Sequence, residues 1–323
     1  MKTTEEFLLF QKTHLSEQMK KLEAIRLKGL SYIKLQYYIG VFGFFGFFVF
    51  VLLISGLYAW LIIVFSVLYF ITYVYGISHY SYKLRKLNFT RKFKFDLLAP
   101  TIKFISQDLF YHPLRCVPSR NFLASKIFRD RISKYSGNDF VEGKIDKTSF
   151  HFSELFVTNS TLVGRNGSTD GNVVFQGLFF IADFHKDFQG QTLLVPRKYA
   201  EWNLLKNKLF RRKNHVVHLE SQQLNKNFVC LSTNDVTARY ILTYKIQNAI
   251  VEFKKNYPKD DIYFSFVHNH VFVAISNDDD LFTPSFRESV YADTSLTHYF
   301  EEIKLVVSLV EELNLNTRIW TRN

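Results

Sequence analysis

LQYYIGVFGFFGFFVFVLLISGLYAWLIIVFSVLYFITYVYGISHYSY, residues 35–82, carries no Asp, Glu, Lys or Arg among its 48 side chains. A transmembrane helix takes about 20 apolar residues, so this run is too long for one span and suits two joined by a tight turn. The break falls at Ser55-Gly56, giving expected spans at 37–54 and 57–77. A cleaved signal sequence fits poorly, because the run starts after a charged helix and far exceeds a signal's apolar core.

Basic residues flank the run on both sides. Lys20, Lys21, Arg26, Lys28 and Lys34 lead into it, and Lys83, Arg85, Lys86, Arg91, Lys92 and Lys94 follow it. By the positive-inside rule both flanks, and so both termini, are expected in the cytoplasm. The net charge of +12 is uneven: residues 80–134 hold 13 basic and three acidic side chains, and residues 1–34 hold seven and four. That excess abuts a bilayer whose cytoplasmic leaflet is anionic. Lipid headgroups are therefore the expected partner, and the six basic residues from Lys83 to Lys94 the expected membrane-surface contacts. Lys86 to Phe95 interleaves Lys and Arg with Phe, a pattern that also clamps single-stranded nucleic acid, but its place beside the apolar run argues for lipid and against nucleic acid. The two cysteines, Cys116 and Cys230, lack metal-ligand spacing and read as free thiols of a reducing compartment.

Within the first span Gly40, Gly43 and Gly46 recur every third residue, a small-residue strip expected to pack against Ala59 and Ser66 of the second. Upstream, Thr3 and Glu6 have capping-box spacing, and Leu8, Leu15 and Leu22 recur every seven residues, as in a helix that associates with a partner or itself. Downstream, residues 83–135 read as a basic helical neck. In it Lys83–Leu98 continues the second span, Pro100 marks a break, and a further helix runs from Ser119 to a C-terminal Gly137. Strand patterns begin at Asp139: Phe150 with Phe152, Val173–Phe184, Gln191–Val195, Val216–Leu219, Phe228–Leu231, and a hairpin over Asp261–Ser276. A glycine-bearing loop joins Asn159 to Asn172. One helix is expected from Asn234-Asp235 through Phe253, and a last one from Thr294 with Leu296, Phe300, Ile303, Val307 and Val310 inward. The fold class is thus α+β, with an N-terminal helix over 1–34, a transmembrane hairpin over 35–82, the neck, and a cytoplasmic domain over 136–323 whose mixed or antiparallel sheet is covered on one face by helices.

Three stretches resemble a known family: Tyr135-Ser-Gly-Asn-Asp-Phe-Val-Glu-Gly143 with Phe152-Ser-Glu154; Val174-Phe-Gln-Gly-Leu-Phe-Phe-Ile-Ala-Asp-Phe184 with Phe188-Gln-Gly190; and Leu219-Glu-Ser221 with Phe228 and Asn234-Asp-Val-Thr-Ala-Arg-Tyr-Ile-Leu242. In these the chain is similar to the bacterial membrane-protein family called domain of unknown function 3137. The resemblance implies a membrane hairpin and a cytoplasmic domain at the bacterial inner membrane, and it brings no activity with it.

The reactive clusters are sparse. His268-Asn-His270 sits at a hairpin tip without a third ligand, and Asn277-Asp-Asp-Asp280 lacks the glycine and distal Glu of a calcium loop. Asp183 and His185 share one side of a strand, but no Gly-x-Ser-x-Gly elbow supplies a nucleophile. Asp235 and Arg239 lie four residues apart on one helix face, where a capping or charge-pairing role is expected. An interaction or scaffold module that binds another protein or itself, without cofactor or metal, is therefore expected rather than an enzyme. The alternatives are a membrane-tethered hydrolase or transferase built on Asp183, His185 and Glu220, and a sensor of anionic lipid surfaces.

Overall fold

The computed structural model describes residues 2–54, 59–73, 76, 79–159, 172–184, 188–199, 215–277, 281–292 and 296–313. The chain divides into two compact units, Lys2–Thr101 with Thr283–His298, and Ile102–Phe282 with Tyr299–Asn323.

In the first unit α1 (Thr4–Phe10), a π-helical turn (Gln11–Leu15) and α2 (Ser16–Ile54) run on from one another. The capping box forms as expected: Thr3 Oγ1 accepts the Glu6 N–H at 3.2 Å, and Glu6 Oε2 accepts the Thr3 N–H at 2.8 Å. The buried stripe is Phe7, Leu15, Met19, Leu22 and Arg26, whereas Leu8 is exposed. The seven-residue repeat is thus replaced by ordinary 3.6-residue helical spacing. Thr4–Phe50 is long and apolar enough to cross a membrane, and among the described residues no other helix is. The second segment expected to span, 57–77, contains α3 (Ala59–Ile71), which is 13 residues long. It packs on α2, with the rings of Phe44 and Phe70 4.6 Å apart. The expected turn at Ser55-Gly56 lies outside the described residues.

α4 (His79–Phe93), a π-helical turn (Lys94–Leu98) and α5 (Ala99–Ile105) follow. Pro100 does not break the helix. A proline lacks an N–H and crowds the carbonyl four residues back. Here the Ala99 N–H donates to Lys94 O, the wider π spacing, immediately before the proline ring.

The second unit is built on a nine-stranded sheet whose pairings are all antiparallel. Its strands are β1 (Phe110–His112), β2 (Lys134–Ile145), β3 (Thr148–Thr158), β4 (Val173–Asp183), β5 (Gln191–Pro196), β6 (His215–Val217), β7 (Phe228–Ser232), β8 (Asp261–Val267) and β9 (His270–Ser276). They lie in the order β1-β2-β3-β4-β9-β8-β5-β7-β6. Between them stand α6 (Ser119–Ala124), α7 (Gln222–Asn227), α8 (Asp235–Ile241), α9 (Tyr244–Asn256) and α10 (Leu296–Glu312).

Three expectations change here. The helix foreseen over Ser119–Gly137 is only α6, and Gly137 lies inside β2 opposite Leu155. Ile127, Phe128, Ile132 and Tyr135 do have helical spacing, but they pack against the Phe122, Phe175 and Phe179 cluster instead. The single helix from Asp235 is two, separated at Leu242 and Thr243. Helices also cover both faces of the sheet: α6 and the segment after it pack on the face of Phe179 and Phe272, while Phe253 of α9 meets Phe264 of β8 at 6.5 Å on the other. Tyr257 OH donates to Glu302 Oε2 at 2.9 Å and ties α10 to the end of α9. An antiparallel sheet with both faces apolar needs such double cover.

Candidate functional site

Two of the three landmark stretches converge on one cleft of about 300 Å³ across β2, β3 and β4, lined by Ser136, Gly137 and Asn138, by Glu154, Leu155 and Phe156, and by Gln176 and Gly177. Glycines make the backbone geometry possible. A Cβ on Gly137 would strike the Glu154 carbonyl of β3, and one on Gly177, at φ +136°, would strike the Ile275 carbonyl of β9 and come within 2.8 Å of the Asn277 nitrogen. Beside the cleft the register of β2 against β3 shifts between Asn138 and Val141, where Asp139 adopts a left-handed φ of 57°. Asp and Asn accept that region most readily after glycine. The bulged residues keep their hydrogen bonds: the Asp139 N–H donates to Pro113 O and the Phe140 N–H to Arg115 O, each at 3.2 Å, and Tyr111 OH donates to Asp139 Oδ1.

Glu154 is the central group. It is 7% exposed, lies opposite Asn138 on one side and Leu178 on the other, and its Oε1 accepts the N–H groups of Leu281 and Phe282, the latter at 3.3 Å. Ser136 Oγ donates to Phe156 O at 3.2 Å. A carboxylate, two carboxamides, a hydroxyl and one apolar wall thus line the cleft. Ser136, Asn138, Glu154 and Gln176 lie within the landmark stretches but were not put forward as site residues, although signals were present. A glycine inside a strand pattern marks close backbone approach, and Glu154 is a charge in an otherwise apolar run.

The residues that were singled out go elsewhere. Glu220 and Arg239 do meet, at 2.7 Å, and Arg239 also donates to His218 O at 2.8 Å. Glu220 in turn holds the fully buried Gln247, which donates to Glu220 Oε2 and Leu242 O at 2.7 Å each and accepts the Ser221 N–H at 2.9 Å. The hydrogen bond from Gln247 first, then the backbone N–H of Glu220 itself, and less strongly Arg239, hold the Glu220 carboxyl below the usual range. Asp235 is not the cap; Asn234 Oδ1 accepts the Thr237 N–H at 3.1 Å, and Asp235 pairs with His215. Asp183 pairs with His270 at 3.4 Å across β4 and β9, and among the described residues no hydrogen bond or ion pair joins it to Glu220. His185, Asp278, Asp279 and Asp280 lie outside the described residues. His268 opens the β8–β9 turn at φ 55°. Burial pushes the Cys230 thiol up to about 12 and raises that of Cys116, as expected of inert thiols.

In the first unit Gly40 lies under Tyr73, to whose ring a Cβ would come within 2.6 Å, but Gly43 and Gly46 meet nothing within 4 Å among the described residues. Among the described residues the close approach is therefore at Gly40, against Tyr73. Ser66 is buried, and the Ala59 side chain lies outside the described residues. On α4, Lys83, Lys86, Arg91 and Lys92 are exposed. Arg85 stacks 3.8 Å over the Tyr32 ring, and Lys94, at 5% exposure, is buried rather than surface-facing. The π turn at Lys94–Leu98 rotates the helix face and carries Lys94 inward with Leu97 and Leu98.

No curated protein matches the chain. Among solved structures it is similar to the crystal structure of the mycobacterial trehalose monomycolate transport factor A, TtfA, with 11% identity and a TM-score of 0.33 over 69% of this chain and 98% of that one. Residues 173–315, from β4 to just past α10, match the model of the family described as protein of unknown function (DUF3137), and the second and third landmark stretches fall within this segment.

Proposed function

We propose that the chain is a membrane-anchored interaction module, in which a two-span hairpin over 37–54 and 57–77 holds the α+β domain at the cytoplasmic face of a bacterial inner membrane to bind another protein there. The observation that carries this reading is the surface of α2 and α3. Phe42 is 72% exposed, Leu53 80%, Trp60 63% and Phe65 66%. Apolar surface this continuous is not left to water, and hydrocarbon is the solvent that suits it. The cleft at Glu154 then supplies a recognition site on the anchored domain. Reporter fusions after residues 30, 55 and 130 are the test: only the fusion at 55 is expected on the far side. A far-side signal at 130 would overturn the cytoplasmic placement, and one at 30 would leave a single span.

The exposed basic residues Lys83, Lys86, Arg91 and Lys92 of α4 favour a second, compatible role in gripping anionic headgroups. Each basic residue near such a surface contributes about 1 kcal/mol. Amine labelling of Lys83, Lys86 and Lys92 should therefore slow roughly fivefold in anionic compared with neutral nanodiscs, and recover at high salt. Equal rates in both lipids would remove this role.

A further inference from the structure

The segment between β9 and α10 is held at two places by carboxylates. At its start, Glu154 of the cleft accepts the Leu281 and Phe282 N–H groups. Further on, Glu23 Oε2 of α2 accepts the Val290 N–H at 3.0 Å, while Arg26, paired with Glu23 at 2.6 Å, donates to Arg287 O at 3.1 Å. Phe286 stands between these holds and is 2% exposed. Its ring lies 5.3 Å from that of Phe89 and 5.8 Å from that of Tyr82, both of α4. From α2, a Cβ on Gly29 would come within 2.9 Å of its Cζ. Phe286 therefore fills the space between α2 and α4 just below the apolar run. Only Thr283, Pro284 and Ser285 separate it from Phe282, and the proline stiffens so short a link.

We infer that residues 281–290 act as a strap coupling the Glu154 cleft to the packing of α2 against α4 at the membrane base. Each hold lies within its own unit, and the covalent chain is the connection. A shift of α4 on α2 that expels Phe286 pulls on the hydrogen bonds at Glu154, and a partner group that takes over Glu154 slackens the strap. Linkage requires the effect to run equally in both directions. Its use, as a relay between bilayer and partner, rests on the proposed function; the coupling itself is measured separately.

The test is amide hydrogen exchange on the full chain in lipid nanodiscs. Phe286→Ala should speed exchange at Leu281 and Phe282 about tenfold, and Glu154→Gln should speed it at Val290 by a similar factor. Phe286→Leu should stay near the parent, and the β4–β9 amides should remain protected in all three. If Phe286→Ala frees Val290 but leaves Leu281 and Phe282 at the parent rate, the holds are independent and the inference fails. Should Phe286→Ala deprotect the sheet as well, Gly29→Ala, whose Cβ would come within 2.9 Å of the Phe286 ring and force it to shift without removing it, is judged by the same criterion. None of these readouts depends on the fusion topology, so either idea can fail without the other.

Discussion

Gly177→Ala is expected to destabilise the sheet unit by about 4 kcal/mol, of which roughly 1–3 comes from forcing a Cβ-bearing residue into its backbone conformation and a similar amount from overlap. At φ +136° an L side chain is strained wherever it points, and here it points at the Ile275 carbonyl of the neighbouring strand. β4 and β9 are central in the sheet order, so neither can move aside without opening the core around Phe179 and Phe272. Gly43→Ala is the control. Nothing described lies within 4 Å of its new methyl, and alanine is the better helix former, so the expected change is within about 0.5 kcal/mol. Urea unfolding of the detergent-solubilised chain, followed by sheet-unit tryptic fragments, separates the two. A Gly177→Ala midpoint equal to the parent's would show that β4 and β9 are not paired in this register.

The second large effect is expected at Gln247, a residue with no reactive chemistry. Gln247→Leu leaves the Ser221 N–H and the Leu242 carbonyl buried without their partner, and orphaned buried groups cost about 1–3 kcal/mol each. A loss of about 3 kcal/mol is expected, with release of the α8–α9 junction. Arg239→Ala, by contrast, removes an ion pair whose side chains are 48% and 52% exposed, and such pairs contribute less than about 1 kcal/mol. Removing the true cap by Asn234→Ala should cost about 1 kcal/mol. If Arg239→Ala proved as damaging as Gln247→Leu, the guanidinium would have a role beyond holding Glu220, and this edge of the sheet would regain its standing as a site.

The contrast between these residues shows what could be read in advance. Alternation and apolar periodicity are local properties, and they located β3 to β9, α10 and the apolar run with little error. They failed where local spacing was ambiguous. Ile127, Phe128, Ile132 and Tyr135 suit a helix as well as the extended path they take, and only the pocket beside Phe122 decides between them. β1 is three residues long, too short for any period to register. Among the singled-out polar residues, charge drew attention to Arg239 and Asp235, whereas burial makes Gln247 the important one, and burial is not written in a one-dimensional pattern.

What the sequence by itself determined is therefore the apolar run and the class: 48 consecutive residues without Asp, Glu, Lys or Arg, bounded by Lys34 and Lys83, supply the apolar part of a helix long enough to cross a membrane, and alternating strands with amphipathic helices make an α+β domain. Only the tertiary structure decided which residues meet. It brought Ser136, Asn138, Glu154 and Gln176 together from three strands, turned Lys94 inward, and set Phe286 between Gly29 and Phe89 across more than 250 and nearly 200 residues of sequence respectively. The physical reason is range. Backbone preference and hydrophobic periodicity act over a few neighbours, whereas a cleft or a strap is specified by packing between segments whose separation in the chain carries no information about their distance in space.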